Sequence, residues 1–262
     1  MKNKIKIISE FIAIVFLIIL MIINKDNLLN IINNIIISFN RTLIEENRYE
    51  IFIKGFKNTL LISFASIVFG TILGFILFLF HKIKYKIINI ISYTIVRFLQ
   101  GVPIAVLLLT FYFGIFSSIN INPILVAIIT FSIYFSAYVT EIFKGAFASI
   151  NKTQVDSAYS LGFTKMQTLK YIIIPQVLVY IIPVYKNESV QLIKSTSIAS
   201  YISIMDLTKA SDIVRNRTYE GFFPLIFVAL IYFLICLLFC KLLDCINKKV
   251  NPRMVKTKWK KK

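Results

Sequence analysis

An all-α bundle that threads a membrane about six times is the fold this sequence predicts. Three observations predict it. Apolar runs close to the roughly 20 residues that a bilayer-spanning helix requires recur along the chain. Short lysine clusters mark the inner ends of these runs, at Lys2, Lys4 and Lys6, at Lys82, Lys84 and Lys86, and from Lys241 onward, the asymmetry that orients membrane segments. Finally, 58% of the 262 residues are hydrophobic and only 16% charged, with mean hydropathy +0.79, too apolar for an ordinary water-soluble domain.

The 30 Lys and Arg against 12 Asp and Glu give a net charge of +18. Their placement beside apolar runs is a topology signal rather than a nucleic-acid footprint, which needs a folded basic surface. Cys236, Cys240 and Cys245 lie in or beside the last apolar run without a CxxC or Cys/His cluster, so no metal or thiol role is expected. None of the eight glycines belongs to a phosphate-binding Gly-x-x-x-x-Gly-Lys-Ser/Thr loop. If ATP drives this chain, another chain binds it. No nucleophile, base and orienting acid can be assembled from so few His and Asp, so neither an enzyme nor a cofactor is expected.

In chain order, the apolar run Phe11–Ile23 follows the first lysines with no small-residue cleavage site behind it, and reads as a retained anchor rather than a removed signal peptide. Residues 24–48 are polar and mixed in charge, suited to an external loop near the membrane surface. A span over about Asn58–Phe80 carries Gly70 and Gly74 at the spacing that permits close helix contact, a spacing also common in lipid-facing helices. His81 reads as a loop histidine among lysines. Ile87–Phe116 is too long for one straight span at about 1.5 Å per residue and is interrupted by Arg97, Gln100, Gly101 and Pro103, which predicts a surface-lying helix and then a span from near Pro103. A further span, Pro123–Thr140, follows. Asp206–Glu220 is expected as an external connection, Gly221–Cys240 as the last span, and the lysine-rich tail, with Trp259, as internal. Both termini then face the cytoplasm. No internal repeat is evident, so two-fold symmetry must come from a second subunit.

The stretch Glu141–Pro175 is polar and lies between apolar blocks. Thr153 with Asp156 has the pattern of a capping box, and Val155, Ala158 and Tyr159 follow as an apolar stripe. Gly162 can close that helix in the left-handed conformation. Thr164 with Gln167 is a second capping box, after which Met166, Leu169 and Ile173 share a face until Pro175 forbids smooth continuation. Helix, glycine, helix is the expected unit. Glu141 and Lys144 read as a simple ion pair at the membrane boundary.

Asp156-Ser157-Ala158, then Gly162, then Ile172-Ile173-Ile174-Pro175 resembles the cytoplasmic motif of bacterial ABC importer membrane subunits, Glu-Ala-Ala, three residues, Gly, nine residues, Ile-x-Leu-Pro. Both intervals are kept and three positions differ conservatively. Tyr138, Glu141-Ile142-Phe143-Lys144, Gln154, Pro175-Gln176, Pro183, Asn187-Glu188 and Lys194-Ser195-Thr196-Ser197 narrow the resemblance to permeases for polar amino acids. It covers roughly Gly55–Lys249 and departs at Gln100-Gly101-Val102-Pro103, where the family usually has Arg-Gly-Thr-Pro. The resemblance implies a type I importer permease with a five-span core over residues 55–249, preceded by an added anchor and loop (1–54) and followed by a basic tail (250–262). It also implies docking of Asp156, Ser157, Ala158 and Gly162, with Pro175 closing the motif, into a cleft on a separate ATPase. The implied partners are ABC ATPase subunits, an extracytoplasmic amino-acid-binding protein, a second permease subunit and membrane lipid, in a bacterial cytoplasmic membrane.

Beyond Pro175 the run is too polar to face lipid, since each charge at mid-bilayer costs about 2.5–3.5 kcal/mol. Asn187, Gln191 and Lys194 share one helical face, with Glu188 beside them. Such a face lines a wet cavity or a subunit interface. Its groups suit a zwitterionic substrate, a carboxylate needing a cation or amides and an ammonium a carboxylate; a network stitching helices together would use the same groups. Thr196 and Ser197 add hydroxyls to that pathway or bond back to their own helix. The expected function is ATP-driven import of polar amino acids. The rivals are the same architecture serving another solute, such as cystine, an opine or a metal chelate, and a secondary carrier or channel that needs no ATPase.

Overall fold

A computed structural model of the chain describes residues 33–83 and 85–250. The apolar run Phe11–Ile23 and the end of the tail, including Trp259, lie outside these residues. Helices α1 (Tyr49–Lys82), α4 (Pro123–Ala148), α6 (Lys165–Ile202) and α8 (Phe223–Val250) are each long and apolar enough to cross a bilayer. Between α1 and α4, α2 (Lys86–Gly101) and α3 (Ile104–Ile115) meet at a bend of 106°. Two shorter helices, α5 (Lys152–Ser160) and α7 (Leu207–Thr218), lie between spans. The five-span core expected from the sequence is therefore present among the described residues.

The helix expected before Pro103 is present as α2, and it packs against the bundle. Ser92 of α2 hydrogen-bonds His81 Nδ1 at 2.9 Å and approaches the Leu77 carbonyl at 3.4 Å, and Val96 and Leu99 pack with Ala137. So α2 climbs along α1 and α4 from the hairpin end of the bundle. The loop after α3 delivers the chain to the far end, where α4 starts, so the bent pair makes one crossing. Arg97 and Gln100, which suggested an interfacial helix, sit on a polar side of this inserted arm. His81 belongs to the last turn of α1 and ties it to α2, instead of standing in a loop.

Glycine makes the central contact. A Cβ on Gly70 would fall 2.8 Å from the Ser132 carbonyl oxygen, and one on Gly74 would fall 2.6 Å from Val139 Cβ, so α1 and α4 touch backbone to backbone. The expectation of close contact is met. Small hydroxyls share this interface and bond within their own helix or across it: Thr140 donates to the Ser136 carbonyl and to that of Gly74 on α1. Phe131, Phe135, Ile62, Leu108 and Val139 fill the core around it.

The connection between α6 and α8 is more than a loop. Asp206 caps α7, accepting from the Lys209 and Thr208 N–H groups, while Asn58 Nδ2 donates to the Met205 carbonyl and the Leu207 N–H to Thr59. This clamps α7 to the start of α1. The last helix also outruns its expected end at Cys240, continuing through Lys241 to Val250. Lys186 of α6 and Asp244 of α8 form an ion pair at 2.7 Å.

Candidate functional site

The hairpin is built by local chemistry. Asn151, not Thr153, caps α5: its side chain accepts from the Thr153 N–H at 2.9 Å, placing Thr153 inside the first turn, where its side chain has no capping role. Gly162 adopts φ +84°, its N–H bonds the Tyr159 carbonyl at 3.0 Å and the Phe163 N–H reaches the Ala158 carbonyl at 3.1 Å, the paired bonds of a Schellman stop. Thr164 and Gln167 form both bonds of the predicted capping box at the start of α6.

Pro175 does not end this helix, and its continuation is not smooth, as the sequence implies. Leu169–Ile173 widens into a π turn, with the Ile174 N–H reaching the Leu169 carbonyl, and the proline falls in the first turn of the α-helical stretch that resumes at Ile174. The extra residue in the turn accommodates a ring that would otherwise clash with the carbonyl four residues back. Gln176 Nε2 bonds the Ile172 carbonyl at 3.0 Å. Asp156, Ser157 and Gly162 are exposed, Ala158 is buried, and Leu161 and Met166 are 78% and 71% exposed at the tip. Exposed apolar side chains on a polar-rimmed, rigid protrusion fit a protein partner.

The second feature is a polar face on the protomer. On α4, Tyr134, Tyr138, Glu141 and Gly145 recur at helical spacing, the two tyrosine hydroxyls 2.8 Å apart and Glu141 accepting from Lys144 Nζ at 2.8 Å. The ion pair expected at positions 141 and 144 is present. Opposite, α6 presents Tyr180, Val184 and Glu188, and a cavity of about 360 Å³ lies between the two helices. Asn187, Gln191 and Lys194 continue this side of α6 and are exposed, whereas Ser189, Leu192 and Ile193 turn inward. On the α2 flank, Tyr93 is approached by Arg97 at 5.1 Å and by Lys144 at 5.6 Å.

Comparison with known proteins follows the same lines. Residues 66–256 match the family model described as the binding-protein-dependent transport system inner membrane component. The chain belongs to that family. A probable amino-acid ABC transporter permease, YckA of Bacillus subtilis strain 168, is 34% identical over 75% of this chain and 88% of its own. A putative glutamine transport system permease, GlnP of Rickettsia bellii, is 30% identical over 76% and 92%. Among solved structures, an amino acid ABC transporter crystallised with histidines superposes with TM-score 0.71 at 32% identity, covering 77% of this chain and 94% of that one. A methionine transporter in an inward-facing form, at 17% identity and TM-score 0.65, shares the fold.

This binding-protein-dependent permease is thus a multi-pass inner-membrane transport subunit, a part that is not itself catalytic. Of the residues singled out from sequence, the structure gathers Asp156, Ser157, Ala158 and Gly162 on α5 and its stop, and sets Asn187, Glu188, Gln191 and Lys194 along one side of α6. Thr196 stands apart: it is buried, donates to the Ile193 carbonyl at 2.7 Å and lies 3.4 Å from Ser63 Oγ. Ser197 bonds the Lys194 carbonyl at 2.9 Å. Sequence reading missed the contribution of α4. Tyr134, Tyr138 and Glu141, three polar residues at i, i+4 and i+7 inside an apolar span, were the available signal.

Proposed function

We propose that this permease is the membrane subunit of an ATP-driven importer of polar amino acids, with both termini cytoplasmic. Two copies of a separate ATPase grip the hairpin through Asp156, Ser157, Ala158 and Gly162, while a second permease half meets the polar face. An extracytoplasmic binding protein delivers substrate to the far end. Asn187, Glu188, Gln191 and Lys194 line the pathway, with Tyr138 and Glu141 on its other wall; Thr196 and Ser197 sit at its end. The names of the relatives support the amino-acid reading, and the family supports the ATPase and binding-protein partners. One observation carries the mechanism. The hairpin joins α4 and α6, the same two helices that wall the cavity, so displacing it displaces both walls.

The test is a Ser157→Cys variant, in a background lacking the three native cysteines, crosslinked within the intact transporter. A product with the ATPase that changes in yield with ATP is expected. A transport-active assembly in which this position never reaches the ATPase sinks the coupling role. Uptake by the purified chain alone, in vesicles carrying only an ion gradient, sinks the ATP-driven reading itself.

A further inference from the structure

The polar face carries a cation that no carboxylate among the described residues neutralises. Arg97 lies about 16 Å along the axis of α2 from Lys86, and its neighbours Val96 and Leu99 pack with Ala137 near the middle of α4. Arg97 stands beside this packed cluster yet is exposed on the protomer. Among the described residues no carboxylate makes an ion pair with it. Its guanidinium lies against Tyr93, whose ring also receives Lys144, and Lys144 is already paired with Glu141. Across the cavity, Glu188 likewise has no cation in ion-pair contact among the described residues. One unpaired cation and one unpaired carboxylate thus stand on opposite flanks of the same polar face. Every α-amino acid carries a carboxylate that such a cation can receive.

We propose that Arg97 is the specificity-determining cation of the pathway, receiving the α-carboxylate of the passing amino acid. This rests on the reading of the polar face as the substrate pathway. A guanidinium suits the task, because its planar fork binds a carboxylate through two parallel hydrogen bonds and its face stacks on an aromatic ring. Contact with Tyr93 orients the group and leaves N–H groups free. A lipid phosphate would satisfy the same charge, and the lipid-retention arm of the experiment below separates it from an amino-acid carboxylate. A carboxylate on the second permease half is the other competitor.

The experiment uses the purified complex of this chain with its ATPase, without the binding protein. Equilibrium binding is measured for the common L-amino acids, and the tightest binder is then compared with its own α-carboxamide. In Arg97→Gln, affinity for the free acid should fall about 10- to 100-fold, the carboxamide should change little, and Arg97→Lys should restore part of the difference. Equal loss for acid and carboxamide, or no loss for either, overturns the proposal. So does an acid preference that survives in Arg97→Gln while lipid retention or subunit assembly falls. Loss of binding in Glu188→Gln and Gln191→Ala, with Arg97→Gln unaffected, removes the proposal and leaves the pathway reading standing. If the unaltered complex binds no amino acid, both fall together.

Discussion

Replacing Gly162 perturbs the hairpin at the single torsion that sets the angle between its two arms. Its φ is +84°, and a Cβ built there would meet no atom within 4 Å, so the cost of a side chain is conformational alone. For alanine that cost is about 1–2 kcal/mol, and asparagine, which enters the left-handed region more readily, should lose less. Proline is different in kind. Its ring fixes φ near about −65° and it has no N–H for the Tyr159 carbonyl, so the turn must be rebuilt and the Phe163 to Ala158 bond goes with it. Two net hydrogen bonds at about 1 kcal/mol each are lost on top of the torsional mismatch. Ala158 is the buried residue of α5, so little else holds that helix at its present angle. The assay is substrate moved per ATP hydrolysed, in proteoliposomes holding the permease, the ATPase and the binding protein. Gly162→Asn should match the unaltered protein, Gly162→Ala should couple somewhat less well, and Gly162→Pro should hydrolyse ATP with almost no transport. A proline variant that inserts and transports at the normal stoichiometry would refute the lever.

Three further outcomes are expected. Gly74→Ala should lower the thermal stability of the purified subunit by about 1–3 kcal/mol through overpacking, and Val139→Ala should recover only part, because the Ser136 carbonyl, 2.7 Å from the added Cβ, is backbone and stays. Full recovery in the double variant would show that the helices are free to separate. Thr164→Val should remove the cap of α6 and cost about 1 kcal/mol, read as faster hydrogen exchange over residues 165–168, with unchanged exchange counting against the cap. Asp206, outside the spans and buried, has its carboxyl raised from the ordinary 3.8 to about 6, mainly by burial and in spite of hydrogen bonds from the Lys209 and Thr208 N–H groups. A carboxyl raised in the fold weakens it when ionised, so the penalty is absent below about pH 3.8 and grows to about 3 kcal/mol above about pH 6. Asp206→Asn should flatten the pH dependence of thermal unfolding across that window; a variant that keeps the same slope would assign it elsewhere.

What could be read from the chain was local. Gly162, the Thr164–Gln167 box and the placement of the long spans among the described residues all follow from residues a few positions apart, and each is found. The misreadings share a cause as well. Asn151 and Thr153 are both good caps, and only the start of the helix chooses between them. Pro175 does interrupt smooth α geometry, and the π turn at Leu169–Ile173 is the form that the interruption takes. Polarity along a chain does not say whether Arg97 and Gln100 face a membrane surface or a polar cavity. The contribution of Tyr134, Tyr138 and Glu141 stayed hidden for the same reason, since their significance comes from α6 lying opposite.

That opposition also explains how one hairpin can act on the whole pathway. Helix α4 runs without a break from Tyr134 through Glu141 to Ala148, and only a short turn separates it from α5. On the return side, α6 is capped at Thr164 and reaches Glu188 through the π turn, a segment whose hydrogen bonds are already displaced from the α pattern. A push on α5 is therefore passed to α4 through continuous helix, and to α6 through a turn that can yield. Unequal stiffness in the two arms would convert a shift of the hairpin into relative motion of the cavity walls. Filling the π turn back to α geometry, by deleting one residue between Leu169 and Ile173, should turn the cavity face of α6 by about 100° and abolish transport while α5 still binds the ATPase. A deletion variant that transports normally would show that the register of Glu188, Gln191 and Lys194 does not matter, and that α6 acts only as a tether.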